Sequence, residues 1–325
     1  MSPLRVVVLM PLRDDWAAAA ELIRRIDQAV AAFPSIVQVL LVDDASVQPC
    51  PTKILQSQFQ VVRGIRVLPL RRNLGHQRAI ALGLVHVQQS MPCDAVLVMD
   101  ADGEDTPEGV LQLLQLFSGT TATFAARSRR TESLLFISFY NLYKILYLVL
   151  TGNSVRVGNF SILPARYLDT LVVMSELWNH YAAAVFRSGL PYTMTPIPRG
   201  YRLHGSSRMN FVSLTVHGIS AISVFGDIAG VRVLIASLVG AGLTILAILA
   251  VVGIRSFTDL AIPGWASYAV GLLVIILLQL MTMAASFTFT MLSNRINLNF
   301  VPLRDHQMFV GEPRDIRLDE QNKNE

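Results

Sequence analysis

"VLVMDADGEDTPE", residues 96–108, sets three aliphatic residues and a Met directly before a cluster of acids. A short apolar run of this kind reads as a buried strand, and in α/β sheets ligands bind beyond the carboxyl ends of strands. The acids therefore mark a candidate site. Working outward, "RVVVLM" (5–10), "IVQVLLV" (36–42), "IRVLPL" (65–70) and "TATFAA" (121–126) are further strand candidates. Between them lie helical patterns: Trp16, Ile23, Ile26, Val30 and Phe33 on one face, a helix from about His76 to Gln89, and another after Pro107. This alternation predicts an α/β fold with a largely parallel sheet covered by helices. Polar clusters follow three of the strands, "LRDD" (12–15), "DDAS" (43–46) and "DADGED" (100–105), and are expected to converge on one crevice.

The rest of the chain is more apolar. Of 325 residues, 52% are hydrophobic and 15% charged, and the mean hydropathy of +0.47 exceeds that of an ordinary soluble domain. The excess sits in two uncharged runs, about 233–254 and 267–292, each long enough to cross roughly 30 Å of hydrocarbon. No signal peptide is expected, because the N-terminal apolar run is short and leads straight into "LRDDW". Arg208, Arg232, Arg295, Arg304, Arg314 and Arg317 flank the runs, whereas "RSFTDLAIPGW" between them has one Arg and one Asp. The expectation is an integral membrane protein with the N-terminal domain and both termini cytoplasmic. A polar stripe (Ser207, Asn210, Ser213, His217, Ser220) opposite an apolar one (Met209, Val212, Val216, Ile219) predicts an amphipathic interfacial helix over 206–228. "LLFISFYNLYKILYLVL" (134–150) is either an interfacial or a core helix. The expected organisation is a domain over 1–205, the interfacial helix, a hairpin over 229–292 and a polar tail over 293–325. Gly240 and Gly242 suit helix packing, either within the hairpin or in a homo-oligomer. Cys50 and Cys93 lack metal-ligand spacing. A net charge of +4 suits anionic lipid or phosphorylated substrates, and no basic helix or aromatic platform points to nucleic acid.

Asp100 and Asp102 can face one site if the chain turns at Gly103, and their hard oxygens suit Mg²⁺ or Mn²⁺. A bare D-x-D is more often a solvated turn; its place after a strand is what raises it. The ordered set "MPLRDDW", "LLVDDAS", "RRNLGHQRAIALGL", "VMDADGEDTPE", "GNFSIL" and "RLHGSSRMNF", followed by two apolar spans, resembles the family 2 glycosyltransferases of the GT-A fold that glycosylate polyprenyl phosphates. The resemblance covers almost the whole chain. It implies a Rossmann-like nucleotide-sugar-binding domain, a UDP- or GDP-linked donor, an undecaprenyl or dolichyl phosphate acceptor, and inverting, metal-dependent transfer.

Residue by residue, the resemblance implies that Pro11 and Asp15 line the nucleotide pocket, with Asp15 and Asp44 near base or ribose and Asp43 supporting the same loop. Asp100 lies near ribose or metal, and Asp102 holds the metal that bridges the donor diphosphate. Arg127 and Arg130 would meet the lipid phosphate, as would Arg202, Ser207 and Arg208, unless that loop closes over the donor instead. Plainer readings stand beside these. Asp14 is expected to cap the helix from Trp16 and Asp105 the helix from Pro107, Arg71 and Arg72 meet phosphate or stay solvated, and the later arginines form a basic membrane patch. Where the family often has "GDFRL", this chain has Asn159 and Ser161. A missing carboxylate favours an acceptor that needs no general base, such as a phosphate, or shifts that role to Glu176. Competing functions are transfer to another lipid or glycan, and a degenerate transferase acting as a scaffold.

Overall fold

Along β1 (Leu4–Leu12) successive side chains enter opposite cores. Val6, Val8 and Met10 join Ile23 and Ile26 of α1 (Trp16–Val30), while Val7 and Leu9 join Ile80 and Leu84 of α2 (His76–Ser90). A strand buried on both faces is the mark of a covered sheet. The computed structural model describes residues 3–51, 58–127, 134–153, 157–204, 211–258, 264–296 and 300–316. They form two units, Met1–Phe139 with Val155–Val224 and Phe300–Glu325, and Tyr140–Ser154 with Phe225–Asn299.

The first unit is built on an eight-stranded sheet, ordered β7-β5-β6-β4-β1-β2-β3-β8. Beyond β1 its strands are β2 (Ser35–Asp43), β3 (Val62–Pro69), β4 (Ala95–Val98), β5 (Ala122–Arg127), β6 (Val157–Pro164), β7 (Tyr192–Ile197) and β8 (Arg314–Ile316). β1 pairs in parallel with β2 and β4, and β2 with β3. β6 runs antiparallel to both β4 and β5, and β8 antiparallel to β3, so the sheet is mixed rather than largely parallel. The five expected strands are present; β6, β7 and β8 are additions. α3 (Pro107–Leu116) packs beside α1. α2 lies so close to the sheet that a Cβ on Gly83 would sit 2.7 Å from Leu9 and 2.8 Å from Val42, which fixes the depth of the helix and the height of its N-terminus.

Part of the polar tail is folded. Residues 300–316 return to the first unit: Phe300 and Phe309 stack on Trp178, and β8 closes the edge of β3 with Arg66 paired to Asp315 at 2.6 Å. The final "LDEQNKNE" lies outside the described residues.

In the second unit, α7 (Gly226–Phe257) and α8 (Trp265–Ile296) pack against each other. Both are long and apolar enough to cross a membrane. Gly240 faces Leu280 of the neighbouring helix, so the hairpin uses that small residue. α4 (Leu134–Thr151) is not a core helix, since Ile145 and Val149 are over 60% exposed. Its C-terminus is held in this unit by Arg232, which donates to the carbonyls of Leu148 and Val149. The amphipathic pattern falls on α6 (Phe211–Ser223), which belongs to the first unit, with Val216 and Ile219 exposed. The short helix α5 (Tyr181–Arg187) belongs to the first unit and packs on β6.

Candidate active site

Because β1, β2 and β4 are parallel neighbours, their carboxyl ends open on the same edge of the sheet. The three polar clusters do converge there. Asp14 is not a helix cap: at φ +59° its carboxylate accepts from the backbone N–H groups of Val47 and Gln48, while its own N–H donates to Ser46 Oγ at 2.8 Å. It ties the loop after β1 to the loop after β2. Asp15 is the residue at the start of α1, makes no capping bond, and faces Arg202. Asp43 accepts from the Ser46 N–H at 2.9 Å. Pro11 is buried in β1.

Asp44, only 5% exposed, accepts from the N–H groups of Leu74 and Gly75 at 2.6 and 2.9 Å. Its carboxylate is thereby turned to the loop that opens α2. Arg71 of the same loop is exposed, as the solvated reading has it; its side chain donates to the Val310 carbonyl and its N–H to that of Phe309. Arg72 is exposed.

Beyond β4 the chain turns as required, with Gly103 at φ +89°. A Cβ there would also collide with the Leu203 side chain, so the turn needs glycine for two reasons. Asp105 accepts from the Asp100 N–H at 2.8 Å, and the cap of α3 is instead Thr106. The segment 199–203 closes against this turn through Gly200 N–H to Glu104 O, Leu203 N–H to Asp102 O and the Arg199–Glu104 ion pair. Arg202 bridges Asp15 at 3.1 Å and Asp102 at 3.3 Å. The arginine expected at a phosphate thus lies between two carboxylates.

Burial and the Asp100 carboxylate push Asp102 up to about 6, with Asp15 adding to the rise and Arg202 and His76 opposing it. Across from Asp102, His76 Nε2 lies 3.1 Å from Asp100 Oδ1. Burial disfavours its charge, but Asp100, Asp105 and Asp102 outweigh this and raise its ionisation above the ordinary imidazole value. His76 is a site residue that sequence reasoning passed over, treating it only as a helix start. No local pattern signals it, because the contact depends on how deep α2 sits.

Asn159 on β6 is held between His76 and Gln77. Ser161 is fully buried and bonded to the Tyr181 hydroxyl at 2.7 Å. Its side chain points into the core, where a basic residue would have no partner. Glu176 is paired with Arg187 at 3.1 Å and accepts from the Ser175 hydroxyl. Arg127 is the last residue of β5, in register with Ile197 of β7. Arg130, Ser207 and Arg208 lie outside the described residues.

Among the described residues no three His, Cys, Asp or Glu side chains converge on one point as a finished metal site. The donors present still fit a hard divalent cation. Asp100 and Asp102 supply oxygens, and the Arg202 guanidinium 3.3 Å from Asp102 shows that this carboxylate accepts a cationic partner.

Comparison with known proteins places this arrangement. Residues 7–157 match the family model of glycosyl transferase family 2. The uncharacterized glycosyltransferase YkcC of Bacillus subtilis (strain 168) is 22% identical over 269 residues, 81% of each chain. The undecaprenyl-phosphate 4-deoxy-4-formamido-L-arabinose transferase of Salmonella choleraesuis (strain SC-B67) is 24% identical over 215 residues. That alignment covers 65% of this chain and 64% of the relative, so the chain spans less than two thirds of that protein. Among solved structures, glucosyl-3-phosphoglycerate synthase from Mycobacterium tuberculosis, in complex with Mn²⁺, UDP-glucose and phosphoglyceric acid, gives a TM-score of 0.48 at 14% identity over 70% of this chain and 80% of that one. Residues 7–157 thus form a glycosyl transferase family 2 domain, and the chain that carries it is a glycosyltransferase.

Proposed function

We propose that the chain moves a sugar, with inversion, from a UDP- or GDP-linked donor to a polyprenyl phosphate at the cytosolic membrane surface. The observation that carries the reading is the acid-lined crevice at the ends of β1, β2 and β4, in a chain whose next elements are two membrane-length helices. The Salmonella relative, named for an undecaprenyl-phosphate acceptor, supports it.

In this reading Asp102 and Asp100 hold Mg²⁺ or Mn²⁺. Bound there, the cation neutralises charge on the departing nucleotide diphosphate. Pro11, Asp15, Asp43 and Asp44 shape the nucleotide pocket, Asp44 by fixing the loop at Leu74–Gly75. Arg202, which pairs with Asp15 and Asp102, would be free to meet the donor diphosphate if a cation took over those carboxylates. Arg127, Arg130, Ser207 and Arg208 take the acceptor phosphate. That acceptor has a second pKa near 6 and is already anionic at pH 7, so Asn159 in place of an acid costs the reaction nothing. α6 and α4 lie in the membrane interface, where their exposed apolar side chains would meet lipid.

Release of nucleotide diphosphate from UDP- and GDP-sugars tests the proposal, with and without undecaprenyl phosphate, in Mg²⁺ or in EDTA. Release that needs both lipid phosphate and metal is expected; release indifferent to either overturns it. Two smaller effects follow. Glu176→Gln should change turnover less than about twofold, because that carboxylate already serves Arg187; a hundredfold loss would make it a base. Cation affinity should fall as pH drops. Asp102 must shed its proton to bind, so below its value of about 6 the apparent Kd should rise about tenfold per pH unit, measurable by Mn²⁺ titration at pH 5 and 7.

A further inference from the structure

The connection from β3 to α2, residues 70–75, is held from two sides. On one side stand the acids after β2: the Leu70 N–H donates to the Asp43 carbonyl at 2.8 Å, and the Asp44 carboxylate accepts from Leu74 and Gly75. On the other stand residues 309–311, which follow both membrane-length helices in the chain. The Arg71 N–H donates to the Phe309 carbonyl at 2.8 Å, Arg71 Nε to the Val310 carbonyl at 3.0 Å, and the Gly311 N–H to the Pro69 carbonyl at 2.7 Å. Covering the edge of β3 accounts for β8 alone, whose register runs from Ile65 opposite Ile316 to Val67 opposite Arg314. The bonds made by 309–311 lie beyond that register and serve the connection instead.

The same segment holds the exit of the connection through side chains. Arg78, in the first turn of α2, has its guanidinium 5.2 Å from the centre of the Trp178 ring. That ring lies 3.9 Å from the Phe300 ring and 5.4 Å from the Phe309 ring, centre to centre. A cation is attracted to an aromatic face, so Phe309 acts on the entry of the connection through its carbonyl and on the exit through its ring. Between these anchors Arg72 and Asn73 are exposed, and Gly75 sits at φ +92°. A glycine hinge supplies no stiffness of its own. Such a connection keeps one shape only while its ends are fixed.

We propose that Phe309, with Val310 and Gly311, is a positioning residue for nucleotide binding, holding the start of α2 where Asp44 can fix it. The proposal rests on the reading that this connection borders the nucleotide pocket. A segment reached only after the helical pair would then set donor affinity without touching the donor.

Hydrogen exchange and calorimetric titration with UDP and GDP, both on the full-length protein in detergent, test this together. Phe309→Ala should speed exchange of the Leu74 and Gly75 amides. If the loop then keeps its binding shape about a tenth of the time, the nucleotide Kd rises about tenfold, while the KM for undecaprenyl phosphate stays unchanged. Phe309→Tyr keeps the ring and should match the wild type. Arg71→Gln, at an exposed site, removes only the Val310 bond and should speed the same exchange to a smaller degree. Asp315→Ala breaks the Arg66 pair within β8 and should move neither readout, which separates positioning from general loosening. Unchanged exchange at Leu74 and Gly75 in both Phe309→Ala and Arg71→Gln, or an equal rise in Kd from Asp315→Ala, overturns the positioning role and leaves the nucleotide reading standing. Faster exchange with an unchanged Kd places the connection away from the nucleotide and overturns that reading together with the proposal.

Discussion

Asp102→Asn is expected to lower sugar transfer about a thousandfold or more while making the protein more stable. The loss follows from the charge. Asn preserves the size of the side chain and an oxygen for the Glu104 N–H, which Asp102 accepts at 3.0 Å, but it cannot bind a cation or balance Arg202. Stabilisation of a leaving diphosphate by a metal contributes several kcal/mol, and about 4 kcal/mol is a factor of roughly a thousand. The gain in stability follows from the same site. A carboxyl whose value in the folded chain is about 6, against an ordinary 3.8, binds its proton more tightly when folded. Wild-type stability is therefore lost as pH rises from about 4 to 6 and is level above that. The neutral Asn escapes this cost, on the order of 3 kcal/mol. Melting curves from pH 4 to 8 should show the variant gaining on the wild type up to pH 6 and holding its lead beyond. Equal melting temperatures at pH 7.5 would mean that Arg202 already neutralises the site.

Asp44→Ala carries the second large effect, in the opposite sense. Its buried carboxylate satisfies the Leu74 and Gly75 N–H groups, and no other side chain reaches the Leu74 N–H among the described bonds. An abandoned buried donor costs about 1–3 kcal/mol, and bonds to a charged acceptor stand at the upper end. A loss of about 2–4 kcal/mol is expected, or roughly 5–15 °C in Tm, with nucleotide affinity reduced at least about tenfold as the start of α2 loosens. Asp44→Asn retains one acceptor and should lose about half as much. Thermal melts with nucleotide titration decide it; a shift below 1 °C would show that the loop is held by other means.

The parts of this protein that could be read beforehand are those whose signals are local. Alternation within β1, the one-faced pattern of α1 and the acids after β4 each occupy a single window, so the α/β core and the convergence of its loops were legible. What was missed depends on distance. β8 has three residues and gains its partner only because Asp315 meets Arg66, 249 positions away; β7 is a short edge strand containing Pro196. β6 reads as a motif, and its antiparallel direction depends on the connection through α4. The same limit applies in the site. Asp14 and Asp105 stand where helix caps stand, and local reasoning duly made them caps, but each carboxylate has a better partner supplied by the surrounding loops. Arg202 reaches Asp15 across 187 positions, and no periodicity encodes such a bond.

The return of residues 300–316 to the sheet has a consequence for biogenesis. β3 emerges early in synthesis, yet the strand that covers its edge is translated only after both long helices. Until then the nascent domain carries an open β edge, a template for mispairing with other chains. Insertion of the helical pair thus falls inside the folding of the domain rather than after it, and a soluble fragment cut before α7 would keep its acids but expose that edge permanently.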